Sequence, residues 1–123
     1  MRISLAVITD KIEKPEQIEA VLADIMNPYE EWTEEEEGYF IGFWDSYQIG
    51  GRLNNMIKLS EDKGYANYAK IRDIQNYADL SKQFSDCITE DGEWYCYEND
   101  DDIEALLMQA NPECTLILVD CHG

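Results

Sequence analysis

Basic residues are scarce in this chain, and none lies between Gln83 and Gly123. Over the whole length 9 bases stand against 27 acids, a formal net charge of −18. That balance excludes the basic footprint of a protein that grips nucleic acid directly. It also opposes docking on an anionic membrane surface. Long apolar runs are missing too: none approaches the ~20 residues a spanning helix needs. The run after Arg2 meets Thr9-Asp10-Lys11 too soon for a secretory signal and reads as a strand. The four cysteines, Cys87, Cys96, Cys114 and Cys121, contain no C-x-x-C pair. Neither a zinc ribbon nor a dithiol redox motif is indicated, and reduced thiols in a cytoplasm are expected, with no metal and no cofactor. No segment carries the ligand ladder of an EF-hand.

What is present is a core. Hydrophobic residues make up 45% of 123 residues, enough for a single α+β domain over 1–123. Ile3, Leu5, Val7 and Ile8 suit a central strand covered on both faces. Pro15 starts a helix whose stripe is Ile18, Val21, Leu22, Ile25 and Met26, stopped by Asn27-Pro28. Near the other end Asp100-Asp101-Asp102 caps a helix with Ile103, Leu106, Leu107 and Ala110 on one side. Thr115 to Val119 follows as a second buried strand. Between these units Tyr39–Ile49 and Asn55–Leu59 read as strands. Cys87–Tyr97 reads as a hairpin turning at Asp91-Gly92, while 65–84 mixes extended and helical signals. The expected product is a helix pair on one face of a mixed, mainly antiparallel sheet, ferredoxin-like or a close variant. Its order is β-α-β-β-…-β-β-α-β, with the terminal strands side by side at the centre.

The acids are clustered. Glu30, Glu31, Glu34, Glu35, Glu36 and Glu37 fall close together, and the base-free C-terminal stretch adds Asp100, Asp101 and Asp102 among others. A solvated surface accounts for such runs. So does a surface that imitates DNA, which carries about one negative charge per 1.7 Å of axis. Attraction to a basic channel would speed encounter and weaken with salt.

One short segment carries chemistry. Trp44 to Arg52 reads WDSYQIGGR. Gly50-Gly51 permits close backbone approach and positive φ, and Arg52 can clamp an anion or pair with a carboxylate. Asp45 could hold Arg52 or act as a base, Tyr47 offers a hydroxyl and Trp44 a stacking face. His122, the only histidine, sits beside Asp120 and Cys121, a set that suits acid–base or nucleophilic work.

These pieces, together with Asn27-Pro28-Tyr29-Glu30 and Thr89-Glu90-Asp91-Gly92-Glu93-Trp94, resemble a family of small phage and prophage proteins. Its members show W-D-W-Y-x-I-G-G-R-W, then T-P-D-G-x-W, then V-D-C-H. The matching positions are Trp44, Asp45, Tyr47, Ile49, Gly50, Gly51, Arg52, Asp120, Cys121 and His122. Ser46, Leu53 and Glu90 depart from the pattern. The resemblance implies origin in a mobile element. With the charge, it leads to the expectation of a non-enzymatic, cytoplasmic inhibitor of a host nucleic-acid-targeting defence, anti-CRISPR or anti-restriction. Its partner would be a basic protein such as a CRISPR effector nuclease, with no nucleic acid and no membrane bound directly. The alternative is a small-ligand protein, an enzyme or a sponge, taking a nucleotide-like anion at Asp45, Gly50-Gly51 and Arg52 with His122. Were it an enzyme, Asp45, Arg52, His122 and Cys121 would carry the chemistry.

Overall fold

The computed structural model describes residues 2–30, 32–34, 39–41, 44 and 46–122, with only the backbone given for 32–34 and 39–41. In chain order the strands and α-helices are β1 (Arg2–Thr9), α1 (Ile18–Met26), β2 (Trp32–Glu34), β3 (Tyr39–Ile41) and β4 (Ser46–Ile49). There follow β5 (Ile57–Lys58), β6 (Tyr65–Ala66), β7 (Tyr68–Lys70) and α2 (Tyr77–Leu80). The last four are β8 (Asp86–Ile88), β9 (Trp94–Cys96), α3 (Asp100–Gln109) and β10 (Thr115–His122).

The two ends of the chain form the middle of the sheet, as their composition requires. β1 and β10 pair antiparallel from Arg2 opposite His122 to Thr9 opposite Thr115. The sheet runs β4-β10-β1-β8-β9, and β7 pairs with the other half of the β10 edge that β4 uses. β8 lies parallel to β1, whereas the other sheet pairings are antiparallel. A mixed, mainly antiparallel α+β sheet is therefore present.

The layers differ from expectation. Successive strand residues point to opposite faces, and Leu5, Ala6, Val7 and Ile8 are all buried. Leu5, Val7, Ile117, Val119 and Cys121 pack with Ile18, Leu22 and Met26 of α1. Ala6, Ile8, Leu116 and Leu118 pack with Ile103 and Leu107 of α3 and Leu80 of α2. The helices thus cover opposite faces, which corrects the one-sided helix pair and with it the ferredoxin-like plan. The physical reason lies in the strands. Two central runs apolar on both sides leave neither face for water, and each face needs its own helix layer.

Local details follow the same chemistry. Pro15 opens a 3-10 turn, Pro15–Gln17, that leads into α1. Asn27-Pro28 does not end the winding at once but carries a further 3-10 turn, Asn27–Tyr29. α3 is capped by Asn99, whose side chain accepts from the Asp101 amide. Asp100, Asp101 and Asp102 fill its first turn instead, where the helix dipole favours them. The β8–β9 hairpin forms, but with a longer turn than Asp91-Gly92 alone. Gly92 N–H donates to the Thr89 carbonyl and Thr89 N–H to the Glu93 carbonyl. Gly92 takes the left-handed conformation, φ +80°, of a three-residue loop. Within 65–84 both signals are realised, extended at β7 and helical at α2. Ile57–Lys58 pairs with Tyr65–Ala66.

Candidate functional site

Strand alternation divides the Trp44–Arg52 segment between two faces of the sheet. Tyr47 and Ile49 join the apolar cluster under α1, and so does Trp44. The Trp44 indole N–H donates to the Met26 carbonyl over 2.9 Å, and its ring meets Tyr47 edge-on with centroids 4.8 Å apart. Burial is the main cause that pushes the Tyr47 phenol above its ordinary range. These two aromatics serve the α1 layer and do not converge with Arg52. Ser46 and Gln48 are exposed and pair in register with His122 and Asp120.

After β4 the chain must turn back over the sheet. Gly50 N–H extends the pairing by donating to the Leu118 carbonyl over 2.9 Å. Gly50 and Gly51 then take φ of +78° and +55°, a region open to glycine at little cost. The resulting 3-10 turn, Gly51–Leu53, sets Arg52 above Asp120. The Arg52 amide donates to Asp120 Oδ2 over 3.0 Å and its Nε–H to Oδ1 over 3.1 Å. Arg2 Nη1 donates to the same Oδ2 over 3.2 Å.

Asp120 is 6% exposed, so its charge needs these partners. Burial pushes its pKa up, but the Arg52 amide, the Arg52 guanidinium and the Arg2 charge outweigh that and hold it below the usual value of 3.8. The partner of Arg52 is therefore Asp120, from the far end of the chain. Asp45, expected in that role, lies outside the described residues. Asp120 was legible only as part of the terminal V-D-C-H.

An open depression of about 520 Å³ adjoins this clamp, lined by Arg2, Ser46, Tyr47, Gln48, Asp120 and His122. His122 is exposed on the face that Asp120 shares, while Cys121 faces the opposite way into the α1 layer. Burial, and then the Asp120 charge, push the Cys121 thiol up to about 12. Burial and a raised pKa both lower the reactivity of a thiol. All four cysteines are free, and of these Cys87, Cys114 and Cys121 are buried.

No family model, no curated protein and no solved structure matches this chain.

The acidic candidates divide. Glu31, Glu35, Glu36 and Glu37 lie outside the described residues, and Glu34 is placed only as the end of β2. Glu30 is exposed beside an isolated bridge to Trp44. Asp100, Asp101 and Asp102 are exposed at the start of α3, just past Glu98, while Glu90, Asp91 and Glu93 are exposed at the hairpin tip. These two groups flank the ends of β9, the edge strand. Asp91 accepts from Thr89 Oγ1, the Glu93 amide and the Tyr95 hydroxyl, and the Thr89 bond leads in holding its pKa down. Among the described residues no group of His, Cys, Asp and Glu could hold a metal ion, and no helix is long and apolar enough to cross a membrane.

Proposed function

We propose that this protein is a non-enzymatic acidic inhibitor that docks on the basic nucleic-acid-binding surface of a host defence protein, a CRISPR effector or a restriction enzyme, in the host cytoplasm. One observation carries the reading. Among the described residues, ion pairs engage only two carboxylates, Asp120 and Glu113. Glu90, Asp91, Glu93, Glu98, Asp100, Asp101 and Asp102 are exposed in a stretch that has no Lys or Arg. Their charge is left to be balanced by counterions or by a basic partner.

The resemblance of WDSYQIGGR and V-D-C-H to small phage proteins supports the same reading, since host nucleases are targets for a mobile element. The test is retention of host proteins on immobilised protein at low and high salt, with DNA as competitor. Wild type is compared with a variant carrying Asp100→Asn, Asp101→Asn, Asp102→Asn, Glu90→Gln and Glu93→Gln. Capture of a nucleic-acid enzyme that salt, DNA and the neutralised variant each abolish is the expected result. Capture insensitive to neutralisation, or no nucleic-acid enzyme captured, would overturn it.

A further inference from the structure

Two of the nine basic residues, Arg2 and Arg52, meet at one carboxylate on the sheet. Arg2 and His122 are register partners on β1 and β10, and Ser46 stands across from His122 on β4. One step along, Ser4, Asp120 and Gln48 form the next row. Side chains of such rows share a face, so two arginines and a histidine surround a single buried carboxylate. That carboxylate offsets one of the two guanidinium charges.

Asp120 also fixes how both arginines are presented. It takes Nε–H of Arg52 and one Nη1 hydrogen of Arg2. A guanidinium carries five N–H donors, so most donors on each remain for a ligand. Arg2 and Arg52 are 53% and 47% exposed. A carboxylate that pins two forks side by side provides preorganisation, which lowers the ordering cost of binding.

The backbone plays a different part from that expected of Gly50-Gly51. Gly50 N–H is taken by Leu118 and the Arg52 amide by Asp120, so the anion seat of this turn already holds an internal carboxylate. The place left for an external anion is the guanidinium side, in the depression lined by Arg2, Ser46, Tyr47, Gln48, Asp120 and His122. Its volume of about 520 Å³ exceeds a bare phosphate and falls in the range of small-molecule sites, ~300–1,000 Å³.

We propose that this depression binds a small organic phosphate monoester of nucleotide size. The phosphate sits on Arg2 beside His122, with Arg52 held next to Arg2 by their shared carboxylate, and Ser46 and Gln48 offer hydrogen bonds to the organic part. Planar forks match the oxygens of a phosphate.

The test is titration calorimetry, with His122 followed by NMR, using inorganic phosphate, adenosine and uridine monophosphates, and the unphosphorylated nucleosides. The variants are Arg2→Ala, which leaves Arg52 on Asp120, and Arg52→Lys, which keeps a charge there. Thermal melts confirm that each is folded. At least one monophosphate should bind and shift the His122 signals while its nucleoside does not. Arg2→Ala should weaken binding about tenfold or more, the usual loss for a charged hydrogen bond. No binding of either monophosphate at millimolar concentration, equal binding of the nucleoside, or unchanged affinity in Arg2→Ala would each overturn the site. Binding of inorganic phosphate alone would overturn the organic ester. Neither variant touches the hairpin or α3 acids, so failure here leaves the acidic-surface reading standing.

Discussion

Gly51 rests directly on Asp120: a β-carbon at position 51 would lie 2.6 Å from Asp120 Cβ and 2.7 Å from its Oδ2. This contact joins two segments 68 residues apart at Arg52 and Asp120. It explains in one stroke why a glycine precedes the arginine and why an aspartate stands near the end of β10. The carboxylate can reach both the amide and the guanidinium of Arg52 only if nothing projects from residue 51.

Gly51→Ala should therefore be among the most damaging single changes, costing about 3 kcal/mol through backbone strain and the clash with Asp120. Gly64→Ala is the matched control. It shares a left-handed φ of +71° but faces open space, so only the strain of about 1 kcal/mol applies. Urea unfolding of both variants checks the ranking. Equal losses would mean that the contact with Asp120 carries no weight.

Asp120→Asn should destabilise by about 2 kcal/mol at neutral pH, since two arginines lose their shared charge. The folded pKa of Asp120 is depressed. Its contribution is thus complete above the unfolded value of about 3.9 and is lost as pH falls through the lower folded value. Stability measured from pH 7 down to 2 should show the wild-type and Asn curves apart at neutrality and converging in acid. A constant gap across that range would refute the charge pairing.

Thiol labelling should separate Cys96 from the rest. Cys87, Cys114 and Cys121 are buried, with burial the leading cause that pushes each thiol up to about 12. In the native state only the exposed Cys96 should react with a disulfide reagent. It should react slowly, because its hydrogen bond to Asp86 also raises its pKa. All four should react in urea. Rapid native labelling of Cys121, read by peptide mass spectrometry, would favour it as a candidate nucleophile.

Leu22→Ala and Leu107→Ala test the two-faced core. Both side chains are fully buried, the first under α1 and the second under α3. Each should cost ~2–5 kcal/mol, and the double variant should show the sum, since the sheet separates the sites. Denaturation of the single and double variants supplies the numbers. Tolerance of either single change would contradict a sheet covered on both sides.

Local sequence carried a good deal of this. The apolar runs of β1 and β10, the stripes of α1 and α3 and the Asp91-Gly92 hairpin depend on neighbours within a few residues, where periodicity and turn chemistry act. The run of β1, apolar at consecutive positions, suits cover on both faces, yet the helix pair was expected on one. Which helix covers which face depends on crossovers between distant segments, and only the folded chain settled it. The WDSYQIGGR segment was legible as chemistry but not as geometry. Strand alternation sent Trp44 and Tyr47 to the α1 layer and left Ser46 and Gln48 beside Asp120. The sequence by itself determined the α+β class and the central terminal strands, because these follow from side-chain period. Tertiary structure alone decided that Arg52 and Arg2 share Asp120 and that Cys121 is enclosed, because ion pairing and burial are set by which distant strands lie side by side.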